Sequence, residues 1–429
     1  MLILYDILFV LFAIAYLPVL LVRGKMHRGF GTRFGLLPEG QRFERPLWVH
    51  AVSVGEAASV RHLIDELRLD FPGRKFVIST ITTTGNTIAA SIAGKGDFVT
   101  YLPLDFGPIV NRTLDRVNPC ALIIVETELW PNLICSAARR GIPVFVVNGR
   151  VSDRSFPRYR LIKPLLAPVL NRITLFCVQT EQDGRKLAEL GLKPERIRVT
   201  GNMKFDIKVR DYDELKKDYR DYRQSFGIGS REKLWIAAST HQGEERIVLE
   251  TFRSLRERSP HLRLLVAPRH PERSGEVAEQ VREAGFTPVR ISELSAAHGT
   301  TGNERTGNEV FLLDTVGKLM YFYAIADIVF VGGSLVPTGG HNILEPASLG
   351  KPVLFGPHTF NFKDIVALFL SHNAALRVDD GAALTREISA LLADQARAGA
   401  LGAAARGLIT GNQGATVRNK EAIKSHTRS

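Results

Sequence analysis

One segment constrains the fold of this chain more than any other: Asp327-Ile328-Val329-Phe330-Val331, then Gly332-Gly333-Ser334-Leu335, then Gly339-Gly340-His341-Asn342-Ile343-Leu344-Glu345-Pro346. The β-branched run reads as a buried strand. Paired glycines end it, a short loop and two more glycines follow, and a helix is expected to start at Asn342. Strand, glycine turn and helix in that order form one unit of a parallel α/β sheet. Backbone N–H groups uncovered at a helix start favour an anion, and Glu345, one turn in, can accept hydrogen bonds from sugar hydroxyls. A phosphate seat beside a carboxylate suits a nucleotide sugar. A glycine-rich turn that only joins strand to helix is the plainer alternative.

At 429 residues the chain exceeds one ordinary core, so two domains are expected. Its 45% hydrophobic and 23% charged residues are those of a globular protein. Cys120, Cys135 and Cys177 lie in apolar runs without metal-ligand spacing, and read as small buried hydrophobes in a reducing compartment. The formal net charge of +12 points to nucleic acid, an anionic membrane surface or a phosphorylated substrate. Nucleic acid is the weakest of these, because no binding motif and no aromatic-interleaved basic stripe occurs.

The N-terminal stretch Ile7 to Val22 is uncharged and almost wholly apolar, with Pro18 inside it. It falls slightly short of the roughly 20 residues a perpendicular spanning helix needs; including Leu2 to Tyr5 would bring in Asp6. A secretory signal fits poorly, since Met1 to Asp6 carries no basic residue and no small-residue cleavage site follows. The expectation is a membrane anchor over residues 1–22, spanning or dipping into one leaflet, with a buried core helix as the alternative. Arg23, Lys25, Arg28, Arg33, Arg42 and Arg45 follow it and would lie on the cytoplasmic side of an inner membrane.

Two α/β halves come next. Strands are expected at Leu47–Val52, Phe76–Thr80, Ala121–Val125, Pro143–Val147 and Leu175–Val178, with helical spacing at Ala57–Leu69 and Leu129–Arg140. The charged stretch Asp211 to Gln224 reads as a solvated helix and connector. Strands resume at Leu234–Ala238, Arg263–Val266, Thr287–Val289, Val310–Leu313, Ile328–Val331 and Pro352–Phe355, before an alanine-rich helical tail, Ala382 to about Leu408. The expected plan is α/β: two Rossmann-like domains facing across a cleft, as in B-type glycosyltransferases, with the acceptor on residues 23–210, a linker over 211–232 and the nucleotide on 233–429.

Several short constellations can carry chemistry. His50-Ala-Val-Ser-Val-Gly-Glu56 is a strand end, a tight loop and a helix start, which puts Glu56 in a first turn where the helix dipole stabilises its anion. It would serve as a base only for an alcohol made acidic late in the transition state, or else simply cap its helix. Glu126 and Glu128 follow an apolar strand and would share one side of an extended chain. Lys204, after a glycine turn, can offset charge on a leaving phosphate or a sugar carboxylate. Arg269, after Pro268, can fork onto a phosphate or carboxylate. His241 and His270 read as hydrogen-bonding residues sooner than metal ligands, for want of a third ligand. Arg150, Arg154, Arg158, Arg160, Lys163 and Arg172, with Asp153 the lone acid, suggest contact with anionic headgroups or a phosphorylated lipid, or a solvated helix face.

Together these segments resemble the 3-deoxy-D-manno-octulosonic acid (Kdo) transferases of lipopolysaccharide synthesis. The resemblance rests on His50–Glu56, Glu126-Thr-Glu-Leu-Trp-Pro-Asn132, Gly201-Asn-Met-Lys-Phe-Asp206, Ser239-Thr-His-Gln-Gly-Glu244, Pro268-Arg-His-Pro-Glu-Arg273, Gly332–Pro346 and Gly356-Pro-His-Thr-Phe-Asn-Phe-Lys363, and runs as far as Gln413-Gly414. It implies an inverting, metal-independent transfer without cofactor from CMP-Kdo to the lipid A precursor lipid IVA. By the same resemblance Glu56 is the general base, and Glu126 and Lys204 stabilise the transition state. Pro268, Arg269, Val316, Gly317, Lys318, Asn342, Ile343, Leu344 and Glu345 hold CMP; of these, Val316 to Lys318 come from the resemblance alone. The sequence departs from the family in carrying Ile343 and Pro346 and a lengthened loop over Thr300–Asn308. A B-type glycosyltransferase with another nucleotide sugar, a binding protein without turnover, and a sugar epimerase are the competing expectations.

Overall fold

The computed structural model describes residues 2–22, 29–51, 54–207, 223, 228–229, 231–296 and 307–427. The expected linker over 211–232 falls largely outside these residues, as does most of the Thr300–Asn308 loop. Two compact units are present: residues 1–206 with 412–429, and residues 207–411.

The first unit is built on seven parallel strands: β1 (Leu47–His50), β2 (Phe76–Thr80), β3 (Phe98–Tyr101), β4 (Ala121–Val125), β5 (Val144–Gly149), β6 (Leu175–Val178) and β7 (Ile197–Val199). Their order is β3-β2-β1-β4-β5-β6-β7. Alternate side chains enter two separate cores, which is why the strands read as unbroken apolar runs. Leu47 and Val49 of β1 join Ala121, Ile123 and Val125 of β4 on one face. Trp48 joins Leu122 and Ile124 on the other.

The second unit repeats the plan with β8 (Lys233–Thr240), β9 (Leu262–Pro268), β10 (Thr287–Arg290), β11 (Glu309–Leu312), β12 (Ile328–Val331), β13 (Val353–Phe355) and β14 (Leu376–Arg377). The order is β10-β11-β9-β8-β12-β13-β14, all parallel. The expected strands are present; β3, β7 and β14, short and less apolar, were not foreseen. Each sheet has a switch point where the chain crosses from one side to the other, between β1 and β4 and between β8 and β12 (in the second sheet β10 also lies outside β11), and the carboxyl ends of the switch-point strands are where such folds bind ligands.

Two expectations need correction. The chain's end does not stay with the second half: the helix Ala415–Lys424 packs Ala415, Ala422 and Ile423 into the first unit's core beside Val60 and Leu63. Asp206 accepts the N–H groups of Gly414 (2.7 Å) and Thr416 at that helix start, and Lys420 lies 3.0 Å from Glu66. Nor does a helix begin at Asn342; Ile343 is the cap and the helix is only Leu344–Ser348.

Residues Leu2–Val22 form a helix whose amino end is tied to the first unit. Asp6 Oδ1 accepts hydrogen bonds from Asn132 Nδ2 (2.7 Å) and Gly107 N (3.2 Å), and the Phe9 ring stacks on Phe106. Among the described residues no helix is long and apolar enough to cross a membrane.

Candidate active site

In the first unit the residues expected to be functional gather at the carboxyl ends of the switch-point strands. Glu126 follows β4 directly and has left-handed backbone (φ 58°), a conformation costly for any residue with a Cβ. It is therefore not extended, and Glu126 and Glu128 do not share a face as a strand would place them. The turn brings the Glu126 carboxylate, itself mostly buried, to 3.3 Å from Lys204 Nζ and 3.5 Å from Arg150 Nε.

Lys204 is held by a chain of amide contacts. Asn148, fully buried and also left-handed (φ 55°), accepts the Met203 N–H on Oδ1 at 2.9 Å, while its carbonyl accepts Gln179 Nε2 at 2.9 Å. Asn202 Oδ1 accepts the Lys204 N–H at 3.0 Å. Asn148 was not singled out in the sequence, where an asparagine ending an apolar run gives only a turn signal.

Glu56 is the third residue of the helix Val54–Asp70, as the loop–helix expectation required; its side chain lies outside the described residues, as do Val52 and Ser53. Just ahead of it, His50 is fully buried, with Nδ1 3.0 Å from the carbonyl oxygen of Ser79; burial pulls its pKa down to about 4.

In the second unit the glycine loop after β12 does something other than expected. Glu244 is fully buried, and its carboxylate accepts the N–H groups of Gly333 (2.6 Å), Ser334 (2.9 Å), Leu335 (2.8 Å) and His241 (2.9 Å). The chain's own carboxylate thus occupies the first set of loop amides, and locks the turn after β8 to the turn after β12. Because those amides are filled and the helix after Asn342 is one turn long, the expected dipole seat for a phosphate is weakened.

What lines the carboxyl ends of β8, β9 and β12 instead is imidazole and guanidinium. His241 Nε2 lies 2.8 Å from His341 Nε2 with the rings parallel, and His270 meets His241 edge-on. His341 is the partner for His241 that the sequence did not reveal. Among the described residues no three His, Cys, Asp or Glu side chains are arranged to hold a metal ion. Burial pulls the His341 pKa down to about 4, helped by nearby Arg269, and burial lowers that of His241 too. Arg269 is exposed, one residue beyond buried Pro268.

Asn342 Nδ2 donates to Glu345 Oε1 at 3.1 Å, and Asn342 Oδ1 accepts the Leu344 N–H at 3.0 Å. Burial raises the Glu345 pKa, with Asn342 and Arg269 opposing the shift. Ile343 and Leu344 are buried and contribute packing. Val316 is exposed, Gly317 is left-handed (φ 85°), and Lys318 caps the helix Leu319–Ile325. These three lie in the turn between β11 and the helix Leu319–Ile325, four to six residues past the strand end.

The sequence model of the family described as 3-Deoxy-D-manno-octulosonic-acid transferase (kdotransferase) matches residues 28–207. A 3-deoxy-D-manno-octulosonic acid transferase of Haemophilus influenzae is 38% identical over 381 residues, covering 89% of this chain and 87% of its own. One of Bordetella pertussis is 33% identical over 387 residues, covering 88% and 87%. A crystal structure of UDP-GlcNAc 2-epimerase from Neisseria meningitidis matches with a TM-score of 0.58 over 89% of this chain and 99% of that one; at 14% identity it shows a shared fold. By its similarity to these transferases over nearly nine-tenths of its length, the chain belongs to the Kdo transferases, glycosyltransferases of lipopolysaccharide biosynthesis.

Proposed function

We propose that the protein transfers Kdo from CMP-Kdo to the primary hydroxyl of lipid IVA with inversion and release of CMP. The observation that supports this best is the gathering of Glu126, Lys204 and Arg150 at one switch point and of Arg269, His241 and His341 at the other, in a member of this family. The anomeric carbon of Kdo bears a carboxylate and no hydrogen, so positive charge can build there while CMP leaves. Departure running ahead of attack makes the acceptor hydroxyl acidic only late, and a modest base is then enough. Glu56 takes that proton. Lys204, with its charge oriented by Glu126, offsets the Kdo carboxylate. Arg269 takes the charge developing on CMP, and Pro268, Val316, Gly317, Lys318, Asn342, Ile343, Leu344 and Glu345 form the rest of the nucleotide seat.

The acceptor reading extends to the membrane. Leu161 and Leu165, on the consecutive helices Phe156–Leu161 and Lys163–Leu170, and Ile162 between them are exposed among Arg158, Arg160 and Lys163. Exposed aliphatic side chains between cations suit an anionic bilayer surface. Residues 1–22 would add an anchor, leaving both units on the cytoplasmic side of the inner membrane.

The test is CMP release from CMP-Kdo, regenerated in the assay, with and without lipid IVA, beside Glu56→Ala. Release that needs the acceptor and is lost in the variant supports the transfer and assigns the base. Acceptor-independent release, or UDP competing better than CMP, would favour a B-type glycosyltransferase with another donor.

A further inference from the structure

The His241–His341 contact has a consequence for how an anion is received. Two Nε2 atoms 2.8 Å apart cannot both carry hydrogen, so the neutral pair holds one proton between them: one ring donates, the other accepts. The position is deliberately cleared for the ring. A Cβ on Gly333 would come within 2.8 Å of His341 Cδ2 and 2.9 Å of its Nε2, so this glycine, besides its left-handed φ of 65°, makes room for the imidazole.

Burial first of all keeps the pair neutral, against the pull of Glu244 and Glu245 toward a proton on His241. Of the nearby carboxylates, Glu244 is engaged by four backbone N–H groups, Glu245 by Arg273 (2.8 Å) and the Thr240 hydroxyl (3.1 Å), and Glu272 lies 3.4 Å from His270. Arg269 and His270 both oppose an added positive charge on His241 and His341. Arg269 makes no ion pair or side-chain hydrogen bond among the described residues; the carboxylate that feels its charge is Glu345, itself engaged by Asn342 Nδ2 at 3.1 Å, which leaves the guanidinium donors beside the pair able to receive an anion.

We propose that the His241–His341 pair receives the phosphate of the nucleotide donor together with Arg269, and takes up one proton from solvent as it does so. The added proton goes to the accepting Nε2; the two N–H groups then repel, one ring turns, and its N–H donates to a phosphate oxygen. Without an anion, burial and the charges of Arg269 and His270 outweigh the pull of Glu244 and Glu245 toward a proton on His241; a bound phosphate adds the counter-charge that tips the balance. This rests on the reading of the second unit as the one that binds the nucleotide.

The probe is the methyl ester of CMP, a phosphodiester whose own protonation does not change near neutrality, with cytidine as the uncharged control. Binding to the full-length protein is followed by titration calorimetry at pH 7 in two buffers of different ionisation enthalpy. The expected result is uptake of about one proton with the ester and none with cytidine, and an ester affinity that strengthens about tenfold for each unit fall in pH between 8 and 6. In His341→Gln and His241→Gln the uptake should drop to near zero, with the affinity loss largest at pH 6. Ester binding by the wild type without proton uptake overturns the proposal and leaves the donor reading intact. Unchanged uptake in both variants overturns it as well. If neither ester nor cytidine binds the wild type, the donor reading and the proposal fall together. Should a variant not fold, the wild-type comparison of ester and cytidine still decides.

Discussion

Lys204 Nζ stands 3.3 Å from Glu126 Oε1, although 78 residues separate them, and both sit on turns the chain holds in place by unusual means. Glu126 is left-handed after β4, and Lys204 is suspended from left-handed Asn148, near the carboxyl end of β5, through the Met203 amide. Such strain persists only where surrounding structure fixes it, and it concentrates at working sites. Replacing Lys204 with Met should lower kcat about 100- to 1000-fold, the range for losing one preorganised transition-state charge. Circular dichroism should be unchanged. A loss confined to KM would mean that Lys204 serves binding alone.

Asn148→Ala tests whether that suspension matters. The change removes the acceptor for Met203 N–H and puts alanine in a conformation it disfavours. A fall of about tenfold or more in kcat is expected, with a smaller effect on CMP affinity. Equal loss of CMP binding, whose proposed seat lies in the second unit, would mean that the substitution disturbs the chain at large and does not act through Lys204.

The Glu244 lock should matter to stability more than to chemistry. Glu244→Gln keeps the shape but replaces one acceptor oxygen by a donor facing backbone N–H groups. Leaving buried donors unsatisfied costs about 1–3 kcal/mol each, and more around a former charge. The unfolding midpoint of the second unit, read from Trp235 fluorescence in a Trp48→Phe, Trp130→Phe background, should fall markedly. An unmoved midpoint would mean that the loop amides find other partners.

Much of this was legible in the sequence. Unbroken runs such as Ala121–Val125 are what a strand covered on both faces requires, and they gave the two sheets. The positions of Glu126, Lys204 and Arg269 at strand ends followed from the turns after those runs. Partnerships across the sheet were not legible. Nothing local in Glu244 says that it will bind amides some 90 residues away, and nothing in His341 says that it will meet His241. Asp206 and Gly414 belong to two motifs noticed separately; their hydrogen bond at 2.7 Å explains both, and explains why the last helix leaves the unit it follows in sequence.

Two buried groups in the first unit give pH dependences of opposite sign. Burial raises the Asp105 pKa from 3.8 to about 6. Its contribution to stability is fully present below the unfolded value and is lost as pH rises through about 6. Burial lowers that of His50 from 6.5 to about 4, so its contribution is present above the unfolded value and is lost as pH falls toward about 4. Each could change stability by on the order of 3 kcal/mol. In urea unfolding between pH 4 and 7, the advantage of wild type over Asp105→Asn should shrink as pH rises. Its advantage over His50→Gln should grow. A Trp235→Phe background confines the fluorescence to this unit. Parallel curves for either variant would remove that group from the account.

The proposed membrane contact makes exposed Leu161 and Leu165 the place where the first unit would meet lipid. Leu161 is 83% exposed and Leu165 54%, with Arg158, Arg160 and Lys163 between or beside them. Aliphatic insertion and headgroup attraction each contribute, the latter about 1 kcal/mol for a basic residue near an anionic surface. Leu161→Asp with Leu165→Asp removes apolar contact and adds two negative charges, so flotation with phosphatidylglycerol vesicles should fall at least tenfold. Neutral phosphatidylcholine vesicles should bind the wild type far less. Turnover on a detergent-dispersed acceptor should hardly change, because these side chains are not part of the proposed chemistry. If the double variant floats as well as wild type, residues 1–22 alone carry the attachment, and the aliphatic face is not the lipid contact.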